Sequence, residues 1–312
     1  MKKFDFDFYK NRKILFGISI GLMVIGLVFN FIRGTKMDIQ FVGGAMIKYS
    51  VDGEVDTDEI ASLVKEETGR DVSVALSKTF GTDANQVTLS FAGNEAVTLD
   101  EQQAIAQSLS DAYADRTFNV VESSSVDPTM GAKFFQKCLV CLLITFVILL
   151  VYIALRFKKI GGLSAGVTAL IALVHDVLLV YFAFVIFGFS INDIFIAVIL
   201  TILGYSLNDT IVIYDRIREN RKLSPTKSPD ALPAIVNKSL NQTMTRSILT
   251  SLTTFMALLV IYIVAAVYGI SSVQSFALPM MVGMIVGCYS SLCIAAPLYT
   301  MWAVHKGEKS KK

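Results

Sequence analysis

Two kinds of hydrophobic pattern alternate along the chain. Six runs are apolar almost without interruption: Ile14–Ile32, Phe135–Leu155, Gly161–Phe187, Ile191–Ile213, Ser247–Tyr268 and Val273–Val304. A helix needs roughly 20 such residues to cross about 30 Å of hydrocarbon, so these runs predict six membrane spans. The first is too long for the apolar core of a signal peptide and lacks a small-residue cleavage site, so it reads as a retained anchor. Residues 33–134 behave differently, mixing short strand-like stretches with helical periodicity. Ala45–Val51, Val72–Leu76, Gln86–Phe91 and Phe118–Val126 read as strands, with a turn at Gly81–Asn85. Asp56–Thr68, with Thr57 as N-cap, and Leu99–Tyr113 read as amphipathic helices. The order strand, helix, strand, strand, helix, strand predicts a ferredoxin-like α+β domain. The fold class is therefore a polytopic α-helical membrane protein of six helices carrying one ferredoxin-like extracytoplasmic domain.

Charge sets the orientation. From residue 34 to 135 there are 7 Lys/Arg against 17 Asp/Glu, while the chain as a whole carries a net charge of +2. The basic residues collect at four places: Lys2–Lys13 before the first run, Arg156–Lys159 between the second and third, Arg216–Lys238 between the fourth and fifth, and Lys306–Lys312 at the end. A six-span topology puts all four on one side, which the positive-inside rule assigns to the cytoplasm. Both termini (1–13 and 305–312) and a loop at 214–246 are then cytoplasmic. The acidic domain lies outside and reads as a solvated surface. Its lack of His and Cys leaves it no catalytic constellation. The four cysteines all lie in apolar runs, which argues against an outer disulfide framework. The spacing of Cys138 and Cys141 has no second ligand pair, so no metal or cofactor is predicted. No G-x-x-x-x-G-K-[ST] loop is present, which predicts no ATP hydrolysis and no enzyme. Nothing points to nucleic acid.

Ionisable residues inside hydrocarbon are expensive and therefore informative. Three occur in the spans, Asp176, Asp209 and Arg246, with His175 beside the first. Each sits on a stripe at helical spacing. Thr168, Ala172, His175 and Asp176 form one, Thr201, Tyr205, Asn208 and Asp209 a second, and Arg246, Thr250, Thr253 and Thr254 a third. Such stripes face protein or water rather than lipid. At about 1.5 Å per residue, Asp209 lies some 6 Å from the predicted end of its span and Asp176 roughly 20 Å from Gly161. Asp209 and Arg246 can therefore meet. Two readings stay open: a structural ion pair, with Asp176 held by Thr or Tyr hydroxyls, or a proton relay in which the pair opens. Gly17/Gly21, Gly162/Gly166 and Gly283/Gly287 have G-x-x-x-G spacing, which predicts close helix packing. Pro279 and Pro297 predict kinks or ends in the sixth span.

The segment from Gly204 through Asn220, GYSLNDTIVIYDRIREN, resembles the signature of the SecF family of protein-export membrane proteins. Ala169–Asp176 (ALIALVHD), Ser239–Ser247 (SLNQTMTRS) and the Asp38–Gly44 stretch are similar to three further family elements. In the last of these the family's Asp falls on Gln40, which weakens the argument that this site needs a negative charge. The resemblance covers the whole chain. It implies one half of a resistance–nodulation–division type of fold, completed by SecD, in the bacterial cytoplasmic membrane. It also implies association with the SecYEG channel and YajC, and use of the proton-motive force to draw a translocating polypeptide outward. The family's functional acid and base fall on Asp209 and Arg246, and its third buried acid on Asp176. Asn208, His175, Tyr205 and Thr250 are the supporting polar residues of the stripes. Two other classes remain: a proton-driven exporter of small molecules or lipids, and a non-conducting assembly subunit.

Overall fold

A computed structural model of the chain describes residues 6–309 except 54, 79–83, 93–96, 114 and 226–227. Residues 81–83 of the predicted Gly81–Asn85 turn lie outside the described residues. Among the described residues, six helices are long and apolar enough to cross a membrane. The first is α1 (Arg12–Arg33). A short helix α2 (Ile39–Val42) then leads into β1 (Gly44–Asp52), α3 (Thr57–Thr68), β2 (Val72–Lys78), β3 (Ala84–Ala92), α4 (Leu99–Ala112) and β4 (Phe118–Val126). The other spans are α5 (Pro128–Arg156), α6 (Gly162–Phe187), α7 (Asp193–Leu223), α8 (Leu232–Val267) and a final span made of α9 (Ser271–Ser290) and α10 (Ala296–Lys309). The chain is a multi-pass membrane protein.

The four strands form one antiparallel sheet in the order β2-β3-β1-β4. Alternate residues of the two central strands, Ile47 and Tyr49 with Val87, Leu89 and Phe91, point to one face. They meet Ile60 and Val64 of α3 and Ile105 and Leu109 of α4, which are spaced four apart on one helix face. The N-cap of α3 is Asp56, not Thr57. Asp56 has extended backbone, and its carboxylate accepts from the Asp58 amide at 2.8 Å. A capping box starts α4: Thr98 Oγ1 accepts from the Glu101 amide, and the Glu101 carboxylate accepts from the Thr98 amide at 2.8 Å. That amide, above all, holds the Glu101 carboxyl below its usual range.

The sheet domain is tied to the helices through α2. Phe41 packs against Phe134 and Phe135 of α5, with ring centroids 5.6 and 5.2 Å apart. A Cβ on Gly131 would lie 2.9 Å from the Gly43 amide nitrogen, so the close approach of α5 to α2 needs glycine there. The Asp38 amide donates to Ile191 O and the Ile191 amide to Lys36 O, joining this linker to the α6–α7 connection. Gln40 adds to the join, its side-chain oxygen accepting from the Asp193 amide at 3.4 Å. A neutral acceptor serves here.

Several expectations need correction. Residues 214–246 are not an extended loop: α7 runs on to Leu223 and α8 starts at Leu232, so most of the segment is helix continuing beyond the apolar run. Hydropathy marks where hydrocarbon ends, not where backbone hydrogen bonding ends. Asp209 is consequently roughly 21 Å from the end of its helix at about 1.5 Å per residue, rather than 6 Å. Gly162/Gly166 do pack on α5, against Ala154 and Leu150, and Gly283/Gly287 on α7, against Ile202 and Ser206. A Cβ on Gly17 or Gly21 would meet nothing within 4 Å, because that face of α1 is open. Pro279 sits inside α9. Ahead of Pro297, residues Ser291–Ala295 form a π-helical turn. Pro297 has no N–H, and its ring crowds the carbonyl four residues back, so a wider turn relieves the clash.

Candidate functional site: buried carboxylates between the central helices

The inner helices are α6, α7 and the final span. The outer helices α1, α5 and α8 expose most of their apolar surface. Asp176 on α6 is fully buried. Its Oδ2 accepts from Ser206 Oγ on α7 at 2.6 Å and from Ser290 Oγ at the end of α9 at 2.8 Å. His175 Nδ1 lies 3.1 Å from Oδ1, and His175 Nε2 is buried with no partner among the described residues. A carboxyl so deep is tolerable only with its oxygens satisfied, and three side chains from three helices supply that. The hydroxyls come from serines, not from the Thr or Tyr expected.

The π-helical turn makes the second contact. Ser291 Oγ lies 3.2 Å from Ser206 O as donor and 2.9 Å from Thr210 Oγ1. One helical turn further along α7, Tyr214 OH is 2.9 Å from Thr168 Oγ1. Ser206, Thr210 and Tyr214 therefore form a buried face at i, i+4, i+8, each bonded across to another helix. Of these groups only Thr168 was singled out from the sequence. The i+4 spacing of hydroxyls along α7 was available as a signal. The pairing with Ser290 and Ser291 was not, because it depends on how the last span packs.

Asp209 lies one turn beyond Ser206 on the same helix and is 5% exposed. Ser247 of α8 is beside it, and Arg246 acts on it electrostatically. Yet Asp209 Oδ2 and Ser247 Oγ are both buried without a hydrogen-bond partner among the described residues. No Asp209–Arg246 ion pair forms among the described residues. Arg246 instead is exposed and lines a cavity of about 550 Å³ between α7 and α8, together with Val212, Gln242 and Thr243. Tyr205 OH donates to Ser251 Oγ on α8 at 3.2 Å. Thr250 Oγ1 bonds back to Arg246 O at 2.8 Å. Thr201 and Asn208 are exposed, as is Thr253. So the α6 stripe is buried inside the chain, while half of the α7 and α8 stripe residues, Thr201, Asn208, Arg246 and Thr253, are exposed.

These features define a class. The chain is a multi-pass membrane protein with two buried carboxylates between its central helices, one fully bonded and one not, and with a polar face left open within the membrane. The family described as protein export membrane protein SecD/SecF, C-terminal, matches residues 105–305. The chain is 32% identical over 311 residues to the protein translocase subunit SecF of Petrotoga mobilis, covering 99% of each. It is 32% identical to the SecF of Helicobacter pylori over 92% of this chain and 83% of that one. It is also 32% identical to the SecDF subunit of Bacillus subtilis, of which it spans 39%. Among solved structures, SecDF from Thermus, a translocon-associated membrane protein, superposes with a TM-score of 0.79 at 26% identity, covering 96% of this chain and 38% of that one. The chain belongs to the SecD/SecF family of protein-export membrane proteins, on its SecF side.

Proposed function

We propose that this chain is the SecF subunit of an accessory complex of the Sec translocase. It acts with SecD to draw secreted polypeptides outward through SecYEG at a late stage of export, in association with YajC, using the proton-motive force and no nucleotide hydrolysis. The SecDF relatives, of which it spans about two fifths, support SecD as the missing half. The open polar face of Thr201, Asn208 and Thr253 is the surface such a half would cover. The sheet order β2-β3-β1-β4 supports a ferredoxin-like domain, and the distribution of basic residues supports an orientation with that domain outside the membrane and both termini inside.

The observation that carries the coupling is Asp209. A buried carboxyl oxygen with no hydrogen-bond partner among the described residues, beside the Ser247 hydroxyl that acts on it and an Arg246 that opens on a cavity, is a group free to change partners when its protonation state changes. A proton arriving at Asp209 changes its interaction with Arg246 and repacks α7 against α8. The α6–α7 connection then moves the linker at Lys36–Gln40 and the outer domain with it. One charge crossing 100 mV supplies about 2.3 kcal/mol for this work. The test is translocation into proteoliposomes holding this chain, SecD and the channel, with and without a proton gradient. Asp209→Asn and Arg246→Met are expected to assemble and to lose the gradient-dependent gain. Mutant complexes that assemble and keep the full gain would make the chain an assembly subunit.

A further inference from the structure

At the end of the bundle opposite the sheet domain, two adjoining cavities of about 510 and 310 Å³ share Lys159, Ile160 and Arg221 as walls. Lys306 of α10 completes the first, and Arg218 and Lys222 of α7 complete the second. Among the described residues, no acidic one lines either. Arg218 is paired with Asp215 at 2.7 Å, but Lys159, Arg221, Lys222 and Lys306 are in no ion pair among the described residues. A net positive end of a membrane bundle is ordinary. Three cations in no ion pair among the described residues, Lys159, Arg221 and Lys306, brought from three separate chain segments to the first cavity, are not, since their mutual repulsion favours an anion between them. The floor of the first cavity is Gly161, Gly162 and Ser164, at the start of the 26-residue α6, whose first N–H groups have no partner in the helix. At its rim Leu163 is 66% exposed, at the level where α6 enters the hydrocarbon. The same hollow therefore offers cations and helix N–H groups to an anion and an apolar shoulder to whatever chain that anion carries.

We infer that this double cavity is a binding site for the phosphate headgroup of an anionic phospholipid, with Lys159, Arg221 and Lys306 on the phosphate and Leu163 beside the acyl chain. A lipid there reinforces the join of the α5–α6 turn, α7 and α10, which Arg221 Nη1 and Tyr299 OH already make by donating to Ile160 O at 3.5 and 2.6 Å.

The experiment is native mass spectrometry of the full chain in detergent, titrated with phosphatidylglycerol, phosphatidylcholine or inorganic phosphate. At about 1 kcal/mol per basic residue, wild type is expected to prefer phosphatidylglycerol over phosphatidylcholine by roughly tenfold or more. The triple variant Lys159→Gln/Arg221→Gln/Lys306→Gln is expected to lose at least about tenfold in phosphatidylglycerol affinity. The control triple Lys10→Gln/Lys13→Gln/Lys238→Gln, which removes the same charge outside these cavities, is expected to lose less than about threefold. Equal losses in the two triples would reduce the effect to diffuse surface charge and overturn the site. Displacement of phosphatidylglycerol by equimolar inorganic phosphate would make it a free-phosphate site and overturn the lipid assignment. Should the pocket triple fail to fold by circular dichroism, Lys306→Gln alone, on an exposed side chain, decides. A loss of about fivefold supports the site, and no loss refutes it.

Discussion

The serines on Asp176 can be tested one hydroxyl at a time. Ser206 and Ser290 both donate to the same carboxyl oxygen, at 2.6 and 2.8 Å, while His175 addresses the other. Ser206→Ala removes a donor but keeps the Cβ that lies 3.0 Å from the position a Cβ on Gly287 would take, so helix packing is preserved. A hydrogen bond to a charged buried acceptor is worth about 1.5–3 kcal/mol, and one to a neutral acceptor about 1 kcal/mol. Each single substitution should therefore destabilise the chain by about 1–3 kcal/mol. The double variant should cost more than the sum of the singles by about 0.5 kcal/mol or more, because the second loss leaves Oδ2 with no partner. The assay is reversible unfolding in mixed detergent micelles, followed by circular dichroism, in wild-type and Asp176→Leu backgrounds. In the leucine background Ser206→Ala should cost close to nothing, since its acceptor is gone, while Ser290 keeps Gly287 O as an acceptor at 3.1 Å. If Ser206→Ala costs under about 0.5 kcal/mol in wild type, or costs the same in both backgrounds, the serines do not hold the carboxyl and the reasoning fails.

Three further outcomes are expected. A Cβ on Gly283 overlaps the Ile202 side chain, so Gly283→Ala should cost about 1–3 kcal/mol in the same unfolding assay and be relieved by Ile202→Ala, whereas Gly17→Ala should stay within about 0.5 kcal/mol. Tyr49 is buried with its hydroxyl unpartnered among the described residues, and burial pushes its phenol up to about 12, so Tyr49→Phe should leave stability unchanged or raise it by about 1 kcal/mol, and ultraviolet titration should show no tyrosinate from this residue at pH 10. Because the folded Glu101 carboxyl titrates below its unfolded value, its capping contribution is complete above the unfolded value near pH 4.5 and is lost as pH falls through the folded one. Hydrogen exchange of the first turn of α4 should accelerate, relative to the unstructured rate, as pH falls through that window, and Glu101→Gln should remove this pH dependence, whereas Thr98→Ala should cost about 0.5–2 kcal/mol and keep most of it, because the amide of residue 98 remains.

Much of this architecture is local physics and was legible along the chain. A run of about twenty apolar residues has no other low-energy home than hydrocarbon, so six spans follow from pattern alone. The alternation of strand and helix periods between residues 45 and 126 likewise follows from which side chains can share one face. Asp176, Asp209 and Arg246 stood out because ionisable groups in apolar runs are rare for energetic reasons. Tertiary structure decided what each of these groups touches. Whether a stripe on one helix meets another stripe depends on the rotation and depth of both. Asp176 found Ser206 and Ser290 through the packing of α6, α7 and α9, and the π-helical turn before Pro297 set the placing of Ser291 against Ser206 and Thr210. Asp209 and Arg246 both stand out as charges in polar stripes yet have different surroundings, one buried and one at a cavity. The G-x-x-x-G spacing reads the same at Gly17 and Gly283, but only the second has a neighbour, since a helix carries its own face in its sequence and its partner's distance nowhere in it.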